Sequence, residues 1–418
     1  MSKPALAPPP VIIVTGANGG IGYGSCERLL FELCQLNPPD AQPQAFASHV
    51  KCDQRSPAGY KGLTLIMACR NRKRAEVART KLLNWLDKQL QSLRGLPNYD
   101  KDYVDNFLAN CRIEVEELDL ASVSSVFKFS AIVHQKYPYV SHLICNAGIC
   151  SFKGLALSNW LRLAKQLVLD PMGLITAPNF HSQNYGELSA DNLGWVWQSN
   201  VFGHFILFRE LEDLLAQSPF DCSRVLWCSS LESTPTFYDP NDWQLRKTEH
   251  SYESSKYQID LLGTTLNLLA IQSTLADGKQ TRHFISEPGV CSTSINANLV
   301  GPLLDYLKVF LFYIGRLCGS VHHTINPWKA AIATVHLALA PVIFLPLFLN
   351  SNPSKPVRFG AHTGRLGNEF VGLSPVKEWE AHREEGLDLI KKCDKLYESI
   401  KREEASGSLN RQAGGCKF

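Results

Sequence analysis

Apolar residues along this chain fall in short β-branched or aliphatic runs, separated by stretches with helical periodicity. Val11-Ile12-Ile13-Val14 stops abruptly at Thr15-Gly16, which reads as a buried parallel strand and not the start of a membrane span. A helical pattern follows through Cys26, Leu29, Leu30 and Leu33. Further strand-like runs occur at Leu63–Cys69, Ile113–Leu120, His142–Cys145 and Val225–Cys228, and a sixth leads into Ser286-Glu287-Pro288-Gly289. Strands alternating with helices specify an α/β domain. Apolar residues crowd the late stretch from Leu303 to Leu349.

Composition narrows the class. The 418 residues carry Lys+Arg 42 against Asp+Glu 39, a formal charge of +3, so a nucleic-acid partner is not expected. A hydrophobic fraction of 45% excludes a disordered chain. Thirteen cysteines with no CxxC pair point to reduced thiols and away from a disulfide framework or zinc ribbon. Residues 1–10 read as a proline-rich tail too short for a secretory signal. Residues 35–62, with Pro38, Pro39, Pro43, Pro57, Gly59 and Gly62, read as a surface insertion. Residues 376–404 mix charges on a helical pattern, as a solvated helix does, and 405–418 read as a tail.

Thr15-Gly16-Ala17-Asn18-Gly19-Gly20-Ile21-Gly22 joins the first strand to the first helix. Glycines there let backbone approach a pyrophosphate, and the helix N-terminus offers free N–H groups and a positive dipole end. The spacing TGxxxGIG resembles that of the short-chain dehydrogenase/reductase family, whose other motifs follow in order. The resemblance implies a Rossmann-type doubly wound parallel sheet with helices on both faces. It implies one domain over 11–375, with insertions at 35–62, 151–193 and 300–349 and a C-terminal helical extension. It also implies that Gly16, Asn18, Gly20, Ile21 and Gly22 hold the cofactor. The second strand ends in Arg70-Asn71-Arg72-Lys73-Arg74, with no carboxylate to hold a ribose 2′-hydroxyl. Arginine at this corner accommodates a 2′-phosphate, so NADPH/NADP is expected and Arg70 is its contact. Asp119-Leu120 would meet the adenine, and Asn146-Ala147-Gly148 would line the adenosine side.

Tyr252 and Lys256 stand four residues apart, on one helix face. An ammonium beside a phenol favours the phenolate and brings the group toward working pH. The resemblance makes Tyr252 the proton donor to a carbonyl and has Lys256 also hold the nicotinamide ribose. It gives the polarising hydroxyl to Ser230, with Ser229 as the alternative. It also implies that Asn200 completes a relay to Lys256 through its backbone carbonyl and a water. Pro288, Val290 and Ser292 would lie near the nicotinamide.

Within the family, ACRN (68–71), NVFGHF (200–205) and YESSKY (252–257) resemble the 3-keto-sterol reductases, which include fungal 3-keto-steroid reductases and the animal 17β-hydroxysteroid dehydrogenase type 7. That likeness implies NADPH-dependent reduction of a sterol 3-ketone during C4-demethylation at the endoplasmic reticulum. Another steroid or lipid ketone is the alternative substrate, and a scaffold in a demethylation assembly the non-catalytic alternative. Apolar side chains in 151–193 would cover such a substrate. A stripe of Leu307, Phe310, Leu311, Ile314 and Leu317 suits a lid. Ala330–Leu349 suggests a core helix followed by a membrane-facing segment, a spanning helix being the alternative. The expected location is the cytosolic face of the endoplasmic reticulum membrane, or a lipid droplet. Other demethylation enzymes are candidate partners, and an oligomer is compatible with the pattern. His322-His323 has no companion ligand at useful spacing, so no metal is expected.

Overall fold

The computed structural model describes residues 6–50, 59–94, 99–154, 165–166, 169, 173, 182–277, 280–292, 302–349, 351 and 354–405. Strands β1 (Val11–Thr15), β2 (Leu63–Cys69), β3 (Cys111–Glu117) and β4 (His142–Cys145) match the first four apolar runs. β5 (Phe152–Gly154) and β6 (Ser182–Gln183) form a separate ribbon. β7 (Cys222–Cys228), β8 (Gln280–Glu287), β9 (Val357–Thr363) and β10 (Glu369–Pro375) complete the main sheet. Its order is β10-β9-β8-β7-β4-β1-β2-β3. All neighbours are parallel except the β9–β10 hairpin. The expected parallel sheet is therefore extended at one edge by an antiparallel strand.

Alternation within β1 shows why the sheet is covered on both faces. Ile12 and Val14 join one core cluster, and Val11 and Ile13 join the other. The first layer holds α1 (Gly20–Leu33), α2 (Arg72–Leu93) and α3 (Lys101–Ala109). The second holds α4 (Val123–Lys136) and α5, which runs from Trp195–Trp197 through a π turn at Gln198–Phe202 to Gly203–Glu210. Next come the short α6 (Glu212–Ala216) and α7 (Ser251–Asp277). α8 (Pro302–Leu317), α9 (Pro327–Ala330), α10 (Ile332–Leu339) and α11 (Trp379–Ala405) follow.

Two expectations are corrected. Part of the 35–62 insertion is core, not surface loop. Asp40, 3% exposed, receives a bidentate ion pair from buried Arg28 at 2.5 and 2.8 Å. Its carbonyl contacts the His336 ring at 2.7 Å, and Gln44 Oε1 accepts from the Val371 amide. The mixed-charge α11 is likewise docked. Leu389, Ile390, Cys393 and Tyr397 enter the second cluster, and Arg209 clasps Asp394 at 2.9 and 3.0 Å. Alternating charges concealed that stripe, since only one side of the helix is solvated.

In the apolar stretch 330–349 the expected core helix is present, and the alternative of a spanning helix is not. α10 is buried at every residue, and the His142 ring and Arg224 reach its last-turn carbonyls of Ala338 and Leu337. Among the described residues, no helix is long and apolar enough to cross a membrane. The start at Asn326-Pro327 is as expected, the Asn326 side chain accepting from the Lys329 amide at 2.8 Å. The expected stripe on α8 is present but faces outward. Leu307, Phe310 and Leu317 are 51%, 60% and 59% exposed, while Phe312 packs inward. The apolar positions from Leu155 to Leu174 lie outside the described residues, except Leu169, which is exposed. Residues 406–418 lie outside them too.

Candidate active site

The carboxyl ends of β1, β4, β7 and β8 lie side by side. β1 is flanked by β2 on one side and β4 on the other, so the strand order reverses there. Such a switch point opens a crevice for a ligand. Every sequence-expected site residue lies on a turn leaving the carboxyl end of a strand, except Gly20, Ile21 and Gly22 in the first turn of α1, Asn200 in α5, and Tyr252 and Lys256 in α7.

At β1 the chain turns through Gly16 (φ +67°) into α1. A Cβ on Gly22 would stand 2.5 Å from both Asn146 Nδ2 and the Gly16 carbonyl oxygen, so only glycine lets turn and helix approach so closely. Gly19 supplies no side-chain cap, and the first turn holds no acidic residue. The N–H groups beginning with Gly20, Ile21 and Gly22 therefore remain open to an anion beside Asn18. At the end of β2, Arg70 is exposed and, among the described residues, has no hydrogen-bond or ion-pair partner. Arg72 reaches toward Glu76 and Glu116 instead, and Asn71 caps α2 by accepting from the Arg74 amide. These observations fit an NADP-type ligand: an open helix end for pyrophosphate and an uncommitted guanidinium for a 2′-phosphate.

Other expected cofactor residues have structural roles. The Asp119 carboxylate caps its own turn by accepting from the Ala121 amide at 3.0 Å, and Leu120 is buried. Asn146 Nδ2 donates to the Thr15 carbonyl, while the Asn146 and Ala147 amides both donate to Thr15 Oγ1, each at 2.9 Å. The Pro288 and Val290 carbonyls accept from Thr324 Oγ1, and the Val290 and Ser292 amides donate to the carbonyls of His322 and Ile325. Ile325 is held at φ +70°, a strained conformation for a β-branched residue. The bonds of its amide to the Val290 carbonyl and of the Ser292 amide to its carbonyl, both at 2.9 Å, fix the turn at 288–292 and hold Ile325 in that conformation.

Tyr252 and Lys256 share the first turns of α7, four residues apart as expected. Gln183, at the end of the β5–β6 ribbon, fixes that helix start. Its Oε1 accepts from the Tyr252 amide at 2.9 Å and from the Ser251 hydroxyl at 3.1 Å. Lys256 Nζ donates to the Cys228 carbonyl at 2.8 Å and lies 5.7 Å from the centre of the Tyr252 ring. Ser230 Oγ accepts from the Glu232 amide at 3.2 Å and stands close enough to the Tyr252 hydroxyl to favour its ionised form. Ser229 is buried with an unpartnered hydroxyl. Ser230 is thus the serine that faces Tyr252, while Ser229 is buried away from it.

Asn200 sits in the π turn of α5, where the extra residue swings its side chain toward the site. That amide clamps Ile149, accepting from its N–H at 2.8 Å and donating to its carbonyl at 2.9 Å, and also donates to Ser255 Oγ. A Cβ on Gly148 would lie 3.4 Å from Asn200 Oδ1 and 3.6 Å from Lys256 Nζ, so the three residues meet at one point. The Asn200 carbonyl contacts His204 Nδ1 at 3.1 Å, and His204 Nε2 contacts Thr15 Oγ1 at 2.9 Å. Burial pushes His204 down to about 4, so its ring is neutral. A carbonyl only accepts; Nδ1 therefore carries the proton, and Nε2 accepts from Thr15.

The electrostatics depart from the simple expectation for Tyr252. Burial, and then the charge of Glu232, hold its phenol well above the usual value, with Ser230 opposing only in part. Burial also lowers the Lys256 ammonium. Tyr252 is consequently protonated in this pocket, the form a proton donor needs. Burial and nearby Glu253 push Glu232 up to about 7. Sequence reasoning missed Glu232, His204 and Gln183. Only the position of Glu232 two residues after Ser230 was a visible signal.

Glycine turn, switch-point crevice and Ser230–Tyr252–Lys256 constellation together define the short-chain dehydrogenase/reductase class. No protein-family model matches the chain. It is 28% identical over 393 residues to the 3-keto-steroid reductase of Schizosaccharomyces pombe, covering 93% of this chain and 97% of that one. It is 30% identical over 261 residues to the 3-keto-steroid reductase of Debaryomyces hansenii, covering 62% of this chain and 68% of the relative. Similarity to the 3-keto-steroid reductase of Saccharomyces cerevisiae is 28% over 262 residues, or 62% and 69% of the two chains. Among solved structures, a Pseudomonas aeruginosa RhlG–NADP complex matches with a TM-score of 0.45 and 15% identity, over 79% of this chain and 89% of that one. The chain belongs to the 3-keto-steroid reductase family.

Proposed function

We propose that the protein reduces the 3-keto group of a sterol intermediate to the 3β-hydroxyl with NADPH, within C4-demethylation in sterol biosynthesis. The observation that carries this reading is the Ser230–Tyr252 hydroxyl pair beside Lys256, in a chain similar over nearly its whole length to a 3-keto-steroid reductase. Gly16, Gly20, Ile21, Gly22 and Arg70 would hold the dinucleotide. When bound, the cofactor supplies hydride. Ser230 donates a hydrogen bond to the substrate carbonyl oxygen and polarises it. Tyr252 gives its proton to the same oxygen. Lys256, anchored on the Cys228 carbonyl, stabilises the phenolate left behind, and Asn200 keeps the Ile149 backbone beside that ammonium.

The outward apolar face of α8 supports attachment to the cytosolic face of the endoplasmic reticulum membrane or to a lipid droplet, where a dissolved sterol can enter. Tyr306, Phe310 and Leu317 would lie in the interface, with other demethylation enzymes as neighbours there. The test is incubation with NADPH or NADH and a panel of 3-keto-sterols and 17-ketosteroids. Selective NADPH-dependent turnover of 3-ketones is expected. Turnover of 17-ketones alone overturns the substrate, and none with any ketone favours a scaffold role.

A further inference from the structure

Three side chains far apart in sequence converge where β8 ends. Glu287 is the last residue of β8, His322 lies in the loop after α8, and His362 is on β9. One ligand atom from each lies within 4.8 Å of the others. Glu287 is 1% exposed. Its Oε2 is 2.8 Å from Arg358 Nη2, while Oε1 has no hydrogen-bond partner and faces His322 Nδ1 at 3.9 Å. His322 Nδ1 and His362 Nε2 are also buried without hydrogen-bond partners. Three convergent lone-pair donors left unpaired are costly unless something occupies the space between them.

The surrounding sequence is adapted to this convergence. Gly360 and Gly372 face each other in register across the β9–β10 hairpin. A Cβ on Gly372 would stand 2.1 Å from His362 Nδ1. One on Gly360 would stand 2.8 Å from His362 Nε2 and 3.6 Å from Glu287 Oε1. Glycine weakens a strand interior, yet two are placed where the imidazole lies over the carboxylate. The loop bearing His322 is fixed as well. Its carbonyl accepts from the Val290 amide at 2.7 Å, and Thr363 bonds the carbonyls of Val321 and His323 at 2.8 Å.

We infer that Glu287, His322 and His362 form a binding site for a divalent transition ion of the zinc class. Two imidazoles and one carboxylate suit zinc better than magnesium or calcium, which favour all-oxygen shells. At about 2.1 Å from each donor, a tetrahedral ion asks for donor separations of about 3.4 Å, so the partly exposed His322 ring must swing inward by a fraction of an ångström to a little over one. Arg358, holding Oε2, orients the carboxylate from behind, as outer partners of metal ligands do. Water completes the fourth position on the exposed side. Because Glu287 immediately precedes Pro288 and His322 bonds Val290, the ion fastens the 288–292 turn to β9.

The full chain, stripped with a chelator and then dialysed, is titrated with zinc alone by calorimetry, and with cobalt to read the visible bands of a tetrahedral site. One ion per chain is expected, with a higher melting temperature in its presence. His322→Ala and His362→Ala should each weaken binding by more than the ~10–100-fold typical of losing an outer partner, and leave the metal-free melting temperature unchanged. Absence of one-to-one binding by the wild type overturns the inference. So does equal binding by both histidine variants.

Discussion

Replacing Tyr252 with Phe removes one oxygen and leaves the ring in place. Three observations set the outcome. Ser230 Oγ still accepts from the Glu232 amide at 3.2 Å, so the serine side chain stays in place with its O–H free to turn to solvent or substrate. Lys256 rests on the Cys228 carbonyl at 2.8 Å and does not depend on the phenol for its position. The helix start is held through the Tyr252 backbone amide, which the substitution preserves. Stability should therefore change by less than about 1 kcal/mol, and NADPH affinity should be unaltered. A positioned general acid contributes about 10²–10⁴-fold, which corresponds to roughly 3–5.5 kcal/mol of barrier. The assay is single-turnover reduction of a 3-keto-sterol at saturating NADPH, with cofactor affinity measured separately by fluorescence. Ser230→Ala should cost about 10²–10³-fold, as loss of one donor to a developing oxyanion does, and Ser229→Ala should be near neutral. Turnover by Tyr252→Phe within threefold of wild type would refute the role of Tyr252, and a larger loss at Ser229 than at Ser230 would refute the choice of serine.

Three further outcomes are expected. Glu232 titrates near 7 beside Tyr252, and its negative charge opposes a developing phenolate, so turnover should fall as pH rises through about 7. Glu232→Gln should flatten that limb of the kcat profile, and an unchanged profile would exclude Glu232 as its cause. Arg70→Asp should shift selectivity from NADPH toward NADH by about 10–100-fold, the range of one charge-assisted hydrogen bond, read from kcat/KM with each cofactor. Asp40→Ala strands the buried Arg28 guanidinium, which among the described residues retains hydrogen bonds to Glu369 and the Trp328 carbonyl at 3.1 Å and its place over the Trp328 ring. It should destabilise the protein by about 3 kcal/mol and lower the melting temperature by roughly 3–6 °C, whereas a surface loop would show almost no change.

The cofactor half of the site was legible because its requirements are local. A strand, a glycine turn and a helix end must be contiguous for backbone N–H groups to meet an anion, and Tyr252 and Lys256 must be four apart to share a helix face. Hydrophobic period alone located β1 to β4, β7 and β8, since buried parallel strands are continuous apolar runs. The same logic misread the segments whose partners are remote. Asp40 looks like loop sequence until Arg28 and His336 close around it. α11 looks solvated until Leu389 and Tyr397 find the second core cluster. Ala330–Leu349 carries the composition of a membrane span, but the His142 ring on β4 and the Arg224 guanidinium on β7, both meeting α10 carbonyls, show that α10 is core. On α8 the stripe was correctly seen, but its direction depends on which side Phe312 anchors. The sequence by itself therefore determined the parallel sheet, the nucleotide turn and the catalytic pair, each encoded within a few consecutive residues. Tertiary structure alone shows the raised phenol of Tyr252, the neutral His204 bridge and the meeting of Glu287, His322 and His362. Each of these depends on distance and desolvation between groups tens to hundreds of residues apart, which no local pattern records.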